Sequence, residues 1–342
     1  MLHKRWVPRP ISGTLIFAIS SILASASGHA GPRSSVEAEV LWKQGKEAYH
    51  QEKYAEAARE LQRFVDRYPG ATGYLEAHLL LGRSLLKTGN PARAIPPLRY
   101  VTSASRSENE LAAARVLLAR AYMESGKHEE SYQTTIEIEK KHGGSQATQS
   151  EALLIRARAL TGQGHEARAA KVLESAKALI VEERAEAAWL ELDLKHRKCA
   201  RFPSQSPLDE EKVRDQLARR GDCLGEALLL FRAVLETSDP AWSRRALEDT
   251  KGAFKNYWKI CSHPPDPPEP PEGSRKPRTP LQLKRYRGEL TAFLQAACRS
   301  TLRNQIGILK AWESQLPQAT SSFSMGLADQ LAGISGETGS QK

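Results

Sequence analysis

Residues with chemistry to offer are sparse along this 342-residue chain. Two His-Glu pairs, His128-Glu129 and His165-Glu166, lack the second His, four residues after the first, that a zinc-protease helix requires. Both lie where helices turn, a setting in which a solvated His is the ordinary case. Gly126-Lys127 lacks the earlier glycine of a phosphate-binding loop, and no GxSxG nucleophile turn occurs. The four cysteines, Cys199, Cys223, Cys261 and Cys298, stand 24, 38 and 37 residues apart, so no CxxC pair offers zinc or redox chemistry. The expectation is a protein that is not an enzyme and needs no metal or cofactor. An even number of cysteines, all after residue 198, points instead to two disulfides formed in an oxidising compartment, with three connectivities open. Cys199 with Cys223 is favoured because both sit where one helix ends and the next begins, which leaves Cys261 with Cys298; the rival pairs Cys223 with Cys261.

The elements that would position any site are helices in a repeating pair. In Leu41 to Pro69, Gly45 lies near the end of one amphipathic helix, Tyr54 and Ala57 open a second, and Leu61, Phe64 and Pro69 carry it to a stop. The pattern recurs with small residues at Gly45, Gly82, Ala119 and Ala157, spaced 37, 37 and 38 residues. In the last three units a glycine follows seven positions on (Gly89, Gly126, Gly164), where the chain must reverse. The second helices keep step as Ala57, Ala94, Ser131 and Ala169, and as Leu61, Leu98, Thr135 and Leu173, with Thr135 the poorest fit. This resembles the tetratricopeptide repeat (TPR), Leu41 standing at its Trp position and Gly45 at its small-residue position; Gln44 and Ala48 depart from it. The resemblance covers about residues 36 to 180 and implies an all-α, right-handed helical solenoid with a concave face built from the first helix of each pair. It is similar to exported or periplasmic TPR proteins of the bacterial cell envelope.

That resemblance implies a groove for a peptide or partner helix. Its steps are an apolar row, Trp42, Leu79, Val116 and Leu154, then a basic row, Lys46, Arg83, Arg120 and Arg158, then Tyr49, Leu86 and Met123, with Thr161 breaking the last row. A partner with spaced acids and apolar positions fits such a surface. The competing account is that Glu39, Glu76 and Glu151, seven residues earlier on the same face, neutralise the cations through neighbouring helices. No Asn accompanies the cations, so the dicarboxylate clamp of chaperone-binding TPR proteins is not implied.

Outside the repeats, residues 1–30 read as a signal peptide. Lys4, Arg5 and Arg9 form its positive region, Ile11 to Leu23 its short apolar run, and Ala24-Ser25-Ala26 and Gly28-His29-Ala30 its cleavage signals, with no Cys nearby to take a lipid. The run is too short to span a bilayer, which needs about 20 apolar residues. Residues 31–180 hold four helix pairs, and 181–263 a degenerate fifth unit and a helix covering the solenoid end. Residues 264–280 form a Pro-rich linker in extended polyproline II, 281–316 a cysteine-bearing C-terminal helix, and 317–342 a flexible tail. The linker is long enough to return the last helix parallel to the one before it, letting Cys298 meet Cys261.

The net charge is +10, of which the leader supplies three, leaving +7 after cleavage. Such a charge favours acidic partners or an anionic surface. Nucleic acid is disfavoured because the basic residues are interspersed with acids. The reading is an exported interaction scaffold; the alternative is a structural envelope protein that binds peptidoglycan or anionic lipid through its net charge. N-terminal sequencing of the protein recovered from cells is expected to begin between Ser27 and Pro32, and an intact Met1 in a membrane fraction would make it an anchored protein instead.

Overall fold

The computed structural model describes residues 32–140, 145–176, 184–201, 210–263 and 279–336. The expected signal peptide, and residues 264–278 of the expected Pro-rich linker, lie outside the described residues. The described chain forms six antiparallel helix pairs: α1 (Pro32–His50) with α2 (Tyr54–Arg67), α3 (Tyr74–Lys87) with α4 (Pro91–Ala104), α5 (Glu108–Glu124) with α6 (His128–Lys140), α7 (Gln146–Gly162) with α8 (Glu166–Ala176), α9 (Arg184–Ala200) with α10 (Glu210–Glu236), and α11 (Pro240–Ser262) with α12 (Pro280–Trp312). A final helix, α13 (Ser321–Ser335), follows. Each odd helix through α11 touches the next odd helix, so the helices stack as an all-α solenoid.

Each pair closes on the small residue of its first helix. A Cβ at Gly45 would lie 2.7 Å from Leu61 Cγ, and one at Gly82 would lie 2.5 Å from Leu98 Cγ; both leucines are fully buried. At the same step in the third and fourth pairs, Ala119 and Ala157 are fully buried. Burying each such leucine contributes about 1.5–3 kcal/mol, and the close helix approach is what lets it be buried completely.

The reversal between helices is the same in all four units. Backbone N–H groups of Lys53, Asn90, Lys127 and His165 donate to Ala48, Leu85, Tyr122 and Leu160 carbonyls, six residues closing each turn. The preceding residue is left-handed: Gly89, Gly126 and Gly164 at φ +70, +74 and +77, but Glu52 at φ +59 in the first unit.

The register that weakens after the fourth unit conceals continuity. Ala227, Phe231 and Val234 are fully buried on α10, as expected of a fifth unit's second helix. The next helix does not terminate the stack as a cover: α11 pairs with α12 as a sixth unit whose connection has been lengthened. Two cystines staple this end. Cys199 at the end of α9 bonds Cys223 on α10 (Cα–Cα 5.6 Å), and Cys261 in the last turn of α11 bonds Cys298 on α12 (Cα–Cα 6.5 Å). In chain-entropy terms each is worth about 2–4 kcal/mol.

The direction of α12 corrects the expectation of a parallel last helix. Cys298 meets Cys261, while Thr301 and the earlier residue Tyr257 meet over Gly221, so α12 runs antiparallel to α11. It runs parallel to α10 instead, with Arg214 over Phe293 (4.5 Å) at one end and Arg232 over Trp312 (5.5 Å) at the other. The first 18 residues of α12, about 27 Å at 1.5 Å per residue, extend past the end of α11. The cysteine therefore meets its partner by overshoot, and the chain need not turn back.

The flexible tail expected from residue 317 is also corrected. Ser324, Leu327, Ala328, Leu331 and Ser335 are buried along one face of α13, which packs on α11 and α12. Thr320 and Ser324 hydroxyls donate to the Leu235 and Leu309 carbonyls at 2.7 and 2.6 Å. Ser and Gly make this stretch look unfoldable by composition, yet small residues at helical spacing are what allow close packing. Among the described residues no helix is long and apolar enough to cross a membrane.

The left-handed Glu52 generates a test. It is exposed and makes the turn at a steric cost that glycine avoids. Glu52→Gly is expected to raise the unfolding free energy by about 0.5–1 kcal/mol in urea titration, whereas Gly126→Glu should lower it.

Candidate functional site

The face formed by α1, α3, α5 and α7 carries the three rows of expected groove residues, and the structure divides them sharply by unit. Trp42, Tyr49, Leu79 and Leu86, on α1 and α3, are half-buried. Val116 and Met123 on α5 and Leu154 on α7 retain only 3%, 8% and 2% of their surface, so these three cannot line a groove and the expectation for them is corrected. Val116 and Met123 are buried where α5 packs on α7, sharing one apolar cluster with Ala152 and Ile155, whereas Leu154 belongs to the larger core that continues into α8 and α9.

In the first two units the half-exposed side chains are fixed from behind. The Trp42 ring lies 5.8 Å from Phe64, and its far edge is covered by Gly73, where a Cβ would lie 2.8 Å from Trp42 Cε2. Gly73 has φ +83, so the loop reaches the ring because no side chain intervenes. Tyr49 stands edge-on to Tyr54 at 5.7 Å.

The basic row is mostly neutralised from within. Lys46 Nζ lies 2.9 Å from Glu76 and 5.3 Å over the Trp42 ring. Arg120 meets Glu151 at 2.6 Å, and Arg158 meets Glu186 at 2.8 Å. Each cation thus reaches an acid on the next odd helix, which corrects the picture of four free cations facing a partner. Arg83 is half-buried on α3 and has no carboxylate partner among the described residues.

Several polar positions that sequence reasoning passed over are built into the interior. Arg156 on α7 is 8% exposed; its Nε donates to Thr135 Oγ1 (3.2 Å), Nη2 to the Thr135 carbonyl (2.8 Å), and Nη1 to Glu139 (2.7 Å). Ser131 donates to the Ala119 carbonyl at 2.8 Å. The poor fit of Thr135 to the repeat is therefore answered by an arginine from the following unit. His78 stacks on Tyr100 at 4.3 Å and stands edge-on to Tyr74 at 4.7 Å, with neither ring nitrogen hydrogen-bonded. His128, expected to be solvated, packs its ring against Gly162.

A second aromatic group sits further along the odd helices. Trp189 Nε1–H on α9 donates to Asp249 Oδ2 on α11 at 2.8 Å, and Arg245 lies 4.0 Å over Trp189 and 5.5 Å over Trp242. Here the guanidinium already occupies the aromatic faces, so the cluster joins the fifth and sixth units to each other.

Burial holds the imidazoles of His78 and His196 below their ordinary range; Asp66 opposes this for His78, and Asp249 and Asp193 oppose it for His196. An unfolded chain restores the ordinary value, so unfolding takes up protons as pH falls through about 6.5 and below. Stability is complete above that range and declines beneath it. A lower urea midpoint is expected at about pH 5.5 than at about pH 7.5, above the carboxylate range, and His78→Phe should flatten part of that difference.

Comparison with known proteins bears on the amino-terminal repeats. A family profile described as tetratricopeptide repeat matches residues 43–108 and 79–134. A solved tetratricopeptide repeat protein from Parabacteroides merdae ATCC 43184 is similar at 11% identity and a TM-score of 0.41, over 86% of this chain and 99% of that one. No curated protein matches the chain.

Proposed function

We propose that this tetratricopeptide repeat protein is an exported interaction scaffold that holds a peptide or partner helix against the odd-helix face of its first two units. One observation carries the reading: along that face the apolar row stays half-exposed at Trp42, Tyr49, Leu79 and Leu86 and is buried at Val116, Met123 and Leu154. Aromatic and aliphatic side chains held rigidly from behind, with one side open, are the usual anchors of a protein interface, because little side-chain entropy is lost when a partner covers them. From residue 43 onward the first two units also fall within the residues that match the repeat family.

Export is supported by the cysteines. All four are paired and none is free, the state expected in an oxidising compartment such as a periplasm or cell exterior. A role in envelope assembly follows from that location together with the scaffold reading.

Site-specific photo-crosslinking tests the binding face. A photoreactive residue replacing Leu86 is expected to trap a discrete partner in living cells, whereas one replacing Leu229, 63% exposed on α10, is expected to trap none. Adducts from Trp242 or Leu229 with none from Leu86 would move the binding surface away from the first two units.

A further inference from the structure

Resting on that reading of the groove, we propose that Arg83 is the point at which the protein takes an Asp or Glu side chain of its partner. The repeats supply their own comparison. At the cationic step, Lys46, Arg120 and Arg158 each meet a glutamate on the next odd helix, Glu76, Glu151 and Glu186. Glu76 and Glu151 stand six residues before the small residues Gly82 and Ala157. Six residues before Ala119, on the helix that follows Arg83, the chain has Ala113. The carboxylate that completes the row elsewhere is missing at this one step, and Arg83 keeps its guanidinium without an acid among the described residues.

The chemistry of the vacant step follows from its neighbours. Glu76 and Glu151 meet Lys46 and Arg120, and the repeat position that corresponds to them on α5 is Ala113, whose methyl group offers no charge to Arg83. A guanidinium presents a planar fork that suits a carboxylate better than a point charge does. Leu79 and Leu86, both half-exposed, lie about one turn to either side of Arg83 on α3. The complementary segment is therefore an acidic residue flanked by apolar ones. Because Arg83 stands between the half-exposed Leu79 and Leu86 on α3, the acid is a side chain within the segment and needs no free chain end.

Ala113→Glu restores the missing intramolecular acid without touching Arg83, and Ala113→Gln adds the same bulk without the charge. The probe is a phage-displayed library of random dodecapeptides selected on the purified full chain. Selected peptides are expected to carry Asp or Glu between apolar residues and to lose about 30-fold in affinity to Ala113→Glu and to Arg83→Gln, with little change for Ala113→Gln or Arg120→Gln. Circular dichroism verifies that each variant is folded. Peptides that bind Ala113→Glu as tightly as the parent, or that suffer equally from Arg120→Gln, overturn the assignment of Arg83. If those same peptides still weaken on Leu79→Gln and Leu86→Gln, the groove stands and only the acidic site falls; if they ignore both leucines, the groove reading falls with it.

Discussion

Every dimension of this solenoid depends on how closely two helices of one pair approach each other. At Gly45 and Gly82 the approach excludes even a methyl group, because Leu61 and Leu98 occupy that space. With the second helix pressed so near, the leucine is buried completely, the reversal is held to one closed turn, and each pair has a nearly fixed thickness. Fixed thickness sets the spacing of the odd helices, and that spacing decides whether a Lys or Arg on one can reach a Glu on the next. The ion pairs along that face follow from the pair geometry. Lys46 and Glu76 keep 42% and 48% of their side-chain surface, and pairs so exposed contribute only about 0–1 kcal/mol. Their effect is on which charges remain available to another molecule.

How much of this was legible in the sequence depends on whether the signal was local. The phase of Gly45, Gly82, Ala119 and Ala157 and the glycines that reverse the chain could be read, since each rests on spacing along one or two helices; the favoured cysteine pairing occurs, but Cys223 lies in the middle of α10 and not at its start, and Cys298 reaches Cys261 on an antiparallel helix. Burial on the odd-helix face could not. Trp42 and Val116 hold the same repeat position, yet one is half-exposed and the other buried, because exposure is decided by the neighbouring unit. The length of the Pro-rich stretch bounded how far the chain could reach between α11 and α12 and left its direction undetermined. For α13, composition misled where spacing would have served: Ser324, Leu327, Ala328, Leu331 and Ser335 recur at helical intervals.

Polar substitutions inside the repeat carry a related lesson. Arg156 stands where the second and third units have Leu81 and Leu118, and Thr135 stands where the other units have leucine. Taken singly, each looks like decay of the pattern. Together they form one hydrogen-bonded contact between consecutive units, and removing either partner would strand a buried polar group at about 1–3 kcal/mol. The departures come in complementary pairs across a unit boundary, so reading one unit at a time misses them.

The overshoot of α12 gives the two ends of the molecule different folding problems. In the first four units, contacts join neighbours in the chain, contact order is low, and helix pairs can add one after another. The far end is sewn together across long stretches: Thr320 reaches Leu235 and Arg232 reaches Gln315, separations of 85 and 83 residues. Closing loops of that length costs entropy before any contact repays it. The amino-terminal units can therefore be complete while the carboxy-terminal seam still waits for its last residues, and a chain truncated before residue 313 would leave that seam open without disturbing the units that carry the groove.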